Sequence, residues 1–258
     1  MNKKAAAIVI GMGEIGSAVS EILEESGLFK VHKKDMEPLE IGPENRIDVM
    51  HICIPYSDSF AEIVSSYISQ YKPHITIINS TIKPNTTKEI FENTQADIVH
   101  SPVRGRHPKL KEGLLRFVKF IGPINAQSAE KAEEHFKKLG IKTRTLKSSV
   151  DSELGKLLST TYYAINIAFH QEMDRICGIY GADFREAVTK FNQTCTMDIE
   201  HKIPRPIMFP GIIGGHCLLP NIEILKKDIS SDFLDAIERS NENTKKKIDE
   251  GKEKYRVL

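Results

Sequence analysis

Residues 5–16 read AAAIVIGMGEIG, and this stretch decides the fold. An apolar run, Ala7-Ile8-Val9-Ile10, stops at Gly11, and a helical pattern begins within a few residues. Between the two stands G-x-G-x-x-G, made of Gly11, Gly13 and Gly16. Each glycine has its own task in a dinucleotide-binding turn. Gly11 permits the bend out of the strand, Gly13 lets a pyrophosphate approach the backbone, and Gly16 lets the helix lie close to the strand. The first helical residues, Glu14 and Ile15, then offer backbone N–H groups to the phosphates, with the helix dipole behind them. The motif alone is weak. Its place after a buried strand and before an amphipathic helix gives it weight.

Outward from this turn the pattern alternates. Apolar residues at Ile15, Val19, Ile22 and Leu23 have helical spacing, and Gly27 suits a C-cap. A second strand is predicted over 29–32, ending in Lys33-Lys34-Asp35. An acid about two dozen residues beyond the first glycine can accept hydrogen bonds from an adenosine ribose. The flanking lysines would instead greet a 2′-phosphate, so NAD and NADP both remain open. A strand is predicted over 48–54, closed by Pro55-Tyr56, with His51 read as a satisfied sheet residue. A helix follows over 59–71. The strand over 75–78 runs into Asn79-Ser80-Thr81-Ile82-Lys83-Pro84-Asn85-Thr86-Thr87, which sets hydroxyls at its carboxyl end. Ligands bind at the carboxyl ends of strands in such sheets, so Pro55, Ser80 and Thr81 join the glycines and Asp35 as cofactor candidates. Further strands are predicted over 97–100, 117–121 and 143–146, with a helix over 128–139. Strands alternating with helices imply an α/β fold, a doubly wound, mostly parallel Rossmann-type sheet.

Beyond about residue 148 the pattern changes. Residues 150–180 form one long helical stretch without proline, apolar on more than one face. A helix over 183–191 follows, then a loop with Pro204, Pro206, Pro210, Gly211, Gly214 and Gly215, and a charged helix over 231–247. The prediction is therefore a dinucleotide-binding domain, 1–148, and a smaller all-helical domain, 149–258, that binds substrate and forms a homodimer through its apolar helix.

Composition narrows the classes. A chain of 258 residues holds one large or two modest domains. A formal net charge of +1 argues against nucleic acid or a membrane surface as partner. No apolar run is long enough to span a bilayer. Met1-Asn2-Lys3-Lys4 leads straight into the first strand, which leaves no room for a signal peptide. Cys53, Cys177, Cys195 and Cys217 have neither C-x-x-C nor zinc spacing. The expectation is a cytoplasmic protein with reduced thiols and no metal.

Four segments stand in one order: GMGEIG (11–16), STIKPNTT (80–87), ELGKLLSTTYYAINIA (153–168) and PGIIGGHCLLPN (210–221). Together they resemble the UDP-glucose/GDP-mannose dehydrogenase family, within the 6-phosphogluconate dehydrogenase-like superfamily. The resemblance implies that an alcohol is oxidised to an aldehyde, that the cysteine of the glycine turn attacks it, and that a second hydride leaves a thioester for water to hydrolyse. Cys217 takes the place of that nucleophile, a role suited to a thiol. Lys156 takes the place of the lysine that stabilises the oxyanion, and Thr81 that of the residue near the nicotinamide. His216, beside Cys217, becomes a candidate for substrate.

Three positions depart from the family pattern. Thr160 stands four after Lys156, where the family has asparagine. Asn221 stands four after Cys217, where the family has aspartate. Ser101-Pro102-Val103 has valine where the family has glutamate. An amide cannot act as a base, so the carboxylates for thioester hydrolysis are missing. The family also continues into a second Rossmann-like domain that completes the nucleotide-sugar site, and the present chain stops at Leu258. A basic cluster, Arg104, Arg106, His107, Lys109, Lys111 and Arg116, follows a strand end. Its arginines can hold a carboxylate or phosphate, or the cluster is a solvated loop.

The resulting expectation is an NAD(P)-dependent oxidoreductase acting on a small anionic alcohol or sugar derivative, with a single hydride transfer. The alternatives are an exchanged cofactor, such as S-adenosylmethionine in a methyltransferase, whose sulfonium tolerates Glu14 beside the turn, and a non-catalytic nucleotide-binding homologue.

Overall fold

The structure, a computed structural model, describes residues 4–37, 39, 46–105, 108–197 and 204–251. The chain divides into two compact units, Met1–Lys156 and Leu157–Leu258, and the division falls inside a long helix.

The first unit is a sheet covered on both faces. Its strands are β1 (Ala5–Ile10), β2 (Phe29–Lys34), β3 (Val49–Ile52), β4 (Ile75–Ile78), β5 (Ile98–His100), β6 (Lys119–Pro123) and β7 (Thr143–Thr145). They lie in the order β2-β1-β3-β4-β5-β6-β7. Every neighbouring pair is parallel except β5 and β6, which meet antiparallel at Val99–Pro123 and His100–Gly122. Alternation along β1 shows why the sheet is buried twice. Ala7 and Val9 join one apolar cluster with Val19, Ile22 and Leu23 of α1 (Glu14–Glu25) and Phe136 of α5 (Ala126–Lys138). Ile8 and Ile10 join the other, with Phe60, Val64 and Ile68 of α2 (Phe60–Tyr71) and Ile90 of α3 (Thr86–Thr94). Near-continuous apolar strands follow from helices on both faces.

Two helices of this unit depart from the sequence reading. The hydroxyl-rich segment after β4, for which no helix is predicted, turns into α3 at Thr86. The basic segment read as loop holds α4 (Leu110–Arg116), whose Leu110 and Leu114 are buried. Gly113 within it is required: a Cβ there would sit 2.7 Å from the Arg104 carbonyl oxygen and from Gly105 Cα.

Helix α6 runs Ser149–Tyr180, and its first two turns belong to the sheet unit. Ser149, Ser152 and Glu153 are buried there.

The second unit holds the remainder of α6, a π-helical turn at Arg185–Thr189, α7 (Lys190–Met197), α8 (Leu218–Lys226) and α9 (Asp232–Asp249). The helix predicted over 183–191 is thus a π turn continuing into α7. Helix α8 follows the predicted Pro/Gly loop in a segment for which no element is predicted. Pro220 falls in its first turn, where a missing N–H costs nothing. Lys226 at its end pairs with Asp235 (2.6 Å) and Glu238 (2.7 Å) of α9. Among the described residues no helix is long and apolar enough to cross a membrane.

Candidate active site

In the sheet unit the carboxyl ends of β2, β1, β3, β4 and β5 lie side by side. They carry, in that order, Asp35, the glycine turn, Pro55, Ser80-Thr81 and Ser101-Pro102-Val103. The order of the strands reverses at β1, with β2 on one side of it and β3 on the other, and ligands of such sheets bind at that switch.

The glycine turn has the shape its sequence predicts. Gly11 has φ +88°, and a Cβ there would lie 2.9 Å from the Cys53 carbonyl. A Cβ on Gly16 would lie 1.8 Å from the Gly11 oxygen. Both positions therefore close the turn onto the helix. Gly13, the N-cap of α1, is the opposite case: a Cβ there meets nothing within 4 Å. The space beside Gly13 is therefore open at the N-terminus of α1, an end of a helix that favours anions. Glu14 and Gly13 are exposed, and Ile15 packs against the core.

Asp35 is exposed just past the end of β2. The neighbouring lysines are engaged. Lys33 pairs with Glu24 of α1 at 2.8 Å. The Lys34 ammonium donates to the carbonyls of Asp35 and Met36. Pro55 is exposed at its strand end. Ser80 is buried, and its hydroxyl donates to the Ile54 carbonyl at 2.6 Å. It ties two strand ends together, while Thr81 beside it is half-buried.

The first turns of α6 anchor these loops, which sequence reasoning missed. Glu153, fully buried, accepts from the backbone N–H of Asn85 (2.7 Å), the N–H of Thr87 (2.9 Å) and the Thr87 hydroxyl (2.6 Å). It therefore caps α3 from a distant part of the chain. Burial pushes its carboxyl above the usual range, and the hydrogen bonds from Thr87 and Asn85 pull against that. His100 donates from Nε2 to the Ser80 carbonyl (3.0 Å) and meets the Ser152 hydroxyl at Nδ1 (2.9 Å). Burial holds its pKa down to about 3, so the ring is neutral. Lys156 Nζ donates to the Val103 carbonyl at 3.0 Å. The candidate oxyanion lysine thus leans on the residue that replaces the family glutamate.

The basic cluster is dispersed rather than gathered. The Arg104 guanidinium lies 5.5 Å from the centroid of Phe117 and 5.3 Å from that of Phe120, held by ring faces. Lys111 pairs with Glu21 (3.3 Å) and Glu25 (2.5 Å) of α1, and Lys109 with Glu112 (3.6 Å). These lysines fasten α4 or their own turn. Arg106 and His107 lie outside the described residues.

In the helical unit Cys217 is half-buried at the N-cap of α8. His216 beside it is exposed. The preceding loop is pinned by buried amides. Gln171 Nε2 donates to the Gly211 carbonyl (2.7 Å), and the Ile213 N–H donates to Asn241 Oδ1 (2.7 Å). Ser240 donates to Gln171 Oε1 at 2.9 Å. Polar residues on the otherwise apolar face of a helix were the available signal for this network.

The two departures of the helical unit touch each other. Asn221, buried, donates from Nδ2 to the Thr160 hydroxyl oxygen at 3.1 Å. Thr160 in turn donates to the Leu157 carbonyl at 2.7 Å. A neutral hydrogen-bonded pair stands where the family pattern has amide and carboxylate.

Comparison with known proteins agrees with these motifs. Residues 150–243 match the sequence model of the UDP-glucose/GDP-mannose dehydrogenase family, central domain. Residues 150–243 carry the central domain of that family. It is 33% identical over 245 residues to a UDP-N-acetyl-D-mannosamine dehydrogenase of Methanococcus maripaludis, covering 86% of this chain and 55% of the relative. The chain spans about half the length of the curated relatives it matches. Among solved structures, the UDP-N-acetyl-mannosamine dehydrogenase of Staphylococcus aureus superposes with a TM-score of 0.77 at 19% identity, covering 95% of this chain and 69% of that one. The corresponding enzyme of Pyrococcus horikoshii gives 0.74 at 22% identity, covering 93% and 68%. These last two establish the fold. All three relatives are dehydrogenases by name, and an exchanged S-adenosylmethionine cofactor finds no support among them.

Proposed function

We propose that this chain catalyses NAD-dependent oxidation of a primary alcohol on a small anionic substrate or sugar derivative, and that the reaction ends at the aldehyde. The observation that carries the second half is the Asn221–Thr160 hydrogen bond. Activating water on a thioester needs a base, and this pair has none to offer, so a second hydride transfer would leave Cys217 trapped as an unhydrolysed thioester and repeated turnover has to end at the aldehyde. Val103 removes the other family carboxylate.

Gly11, Gly13 and Gly16 with the N-terminus of α1 would hold the pyrophosphate, and Asp35 the adenosine ribose. NAD is preferred over NADP in this reading. Lys33 and Lys34 are already engaged, so the exposed Asp35 carboxylate is left to repel a 2′-phosphate. The bound nicotinamide supplies a hydride acceptor. The residues of the chain do the rest. Lys156 stabilises the alkoxide as the hydroxyl proton leaves. Cys217 captures the aldehyde reversibly: the S–C bond forms, and the thiol proton passes to the former carbonyl oxygen. The net change is R–CH2OH + NAD+ to R–CHO + NADH + H+.

The test is stoichiometry with UDP-N-acetyl-D-mannosamine, the sugar nucleotide in the relatives' names, and with simple hydroxy acids. One NADH per molecule consumed, with aldehyde trapped by hydroxylamine, is expected. Two NADH per molecule, with a carboxylate product, would refute the single-transfer reading.

The chain also dimerises in this reading. Leu158, Tyr162, Phe169, Ile176 and Tyr180 are all exposed along one stripe of α6, Tyr180 by 82%. Apolar stripes of this size mark contact surfaces. Light scattering at micromolar concentration should give about twice the 29.1 kDa of one chain, and a monomer would contradict it.

A further inference from the structure

Lys119 is the most unusual charge in the sheet unit. It lies on β6 and is 3% exposed. Its Nζ donates to Ser101 O (2.6 Å), Asn79 Oδ1 (3.1 Å) and Pro102 O (3.2 Å), and lies 5.7 Å from the centroid of the Phe136 ring. Three N–H groups meet three oxygens. All three oxygens are neutral. The titratable groups around it are His51 and Cys53 at β3, His100 on β5, His135 on α5 and Lys156 on α6. Burial holds the three imidazoles in their neutral form and raises the Cys53 thiol to about 12. Val19, Ile22 and Leu23 of α1 and Leu114 of α4, which line the remaining space, are apolar. No carboxylate is among these neighbours.

The surroundings fix the direction of every hydrogen bond. Asn79 Oδ1 accepts from Lys119, so Asn79 Nδ2 donates to His51 Nδ1 (3.1 Å). His51 must then donate from Nε2 to His135 Nε2 (3.1 Å). The Val103 N–H donates to the Asn79 carbonyl (3.3 Å). Lys119 therefore grips the turn after β5 directly and braces it through Asn79. The Val103 carbonyl at the end of that turn is the one that receives Lys156 Nζ.

We propose that Lys119 is a positioning residue for Lys156: its ammonium holds the Ser101-Pro102 turn, and the turn places the Val103 carbonyl that orients the Lys156 side chain. The group is a switch as well as a brace. Loss of its proton leaves two N–H groups for three oxygens, so one acceptor in the turn loses its donor. Burial lowers the Lys119 pKa to about 7, within an ordinary assay range. The catalytic side of this inference rests on the dehydrogenase reading, and the structural side does not.

The experiment is nuclear magnetic resonance on the full chain with labelled lysine side chains and backbone amides, titrated from pH 5.5 to about 9, the span that brackets a lysine shifted from its ordinary value of about 10.4. One lysine titrating near neutrality is expected, with the Val103 amide and the Lys156 side chain moving at the same midpoint. Lys119→Met should abolish all three transitions. It should also lower kcat by about tenfold to a hundredfold through misplacement of Lys156, with the KM for NAD unchanged. Asn79→Asp gives a second handle. Its carboxylate pairs with the ammonium, and His51 can turn its tautomer to donate to it, so the shared midpoint should rise together for Lys119, Val103 and Lys156. The proposal is overturned if Lys119 titrates like a surface lysine, or if it titrates near neutrality while Val103 and Lys156 stay still. Failure of the wild-type chain to oxidise any alcohol would sink the dehydrogenase reading and leave the coupled titration standing.

Discussion

Gly16→Ala is expected to unfold the glycine turn and abolish NAD binding. The new Cβ would lie 1.8 Å from the Gly11 carbonyl oxygen and 2.9 Å from the Gly11 carbonyl carbon, with Cys53 Cβ at 3.4 Å behind. The nearest two atoms are backbone, so no side chain can swing aside. Relief requires α1 to move off β1, and that exposes the buried contacts of Ala18, Val19, Ile22 and Leu23 with the sheet. Steric insertions of this kind fall at the severe end of point mutations, above about 4 kcal/mol. Urea unfolding should show a much lower midpoint than wild type. Gly13→Ala separates folding from binding. Its Cβ meets no protein atom within 4 Å, so the unfolding midpoint should stay at the wild-type value. Binding should still weaken at least tenfold, because the methyl group occupies the place where the pyrophosphate meets the backbone. Equal binding by Gly13→Ala and wild type would mean that the turn holds no phosphate.

Lys156→Met is expected to lower kcat for alcohol oxidation by about 10² to 10³, the usual cost of removing one donor from a developing oxyanion. Methionine keeps most of the side-chain volume. The loss should therefore appear in catalysis rather than in folding, with the affinity for NAD intact. Its Nζ donates to the Val103 carbonyl at 3.0 Å. Lys156→Arg should recover part of the rate, since the charge returns with a different reach. A Lys156→Met chain with wild-type turnover would remove this residue from the mechanism.

The sheet was legible because its strands carry unambiguous patterns. β4 runs Ile75–Ile78 and is apolar throughout apart from a buried threonine, between clear breaks. The glycine fingerprint was legible because each glycine answers a separate steric demand. What could not be read depends on partners far along the chain. The start of α3 is capped by Glu153, which lies 66 residues beyond Thr87, so its hydroxyl-rich opening gave no helix signal of its own. Helix α8 was hidden by Pro220, although a first turn tolerates proline. Lys119 sits between Val118 and Phe120, and in sequence it is an ordinary lysine within the predicted strand over 117–121; only the neighbouring strands reveal that it is buried. Thr160 and Asn221 stood out as two separate departures. Their mutual hydrogen bond, formed across 61 residues, makes them one change with one chemical consequence.

The central claim is that the glycine turn binds NAD in a dehydrogenase, and thermal denaturation with NAD, NADP or S-adenosylmethionine tests it most directly. A ligand at a hundred times its dissociation constant adds about 2.7 kcal/mol to the folded state. The prediction is a clear rise in Tm with NAD, a smaller one with NADP, and none with S-adenosylmethionine. A rise with S-adenosylmethionine and none with either dinucleotide would contradict the account.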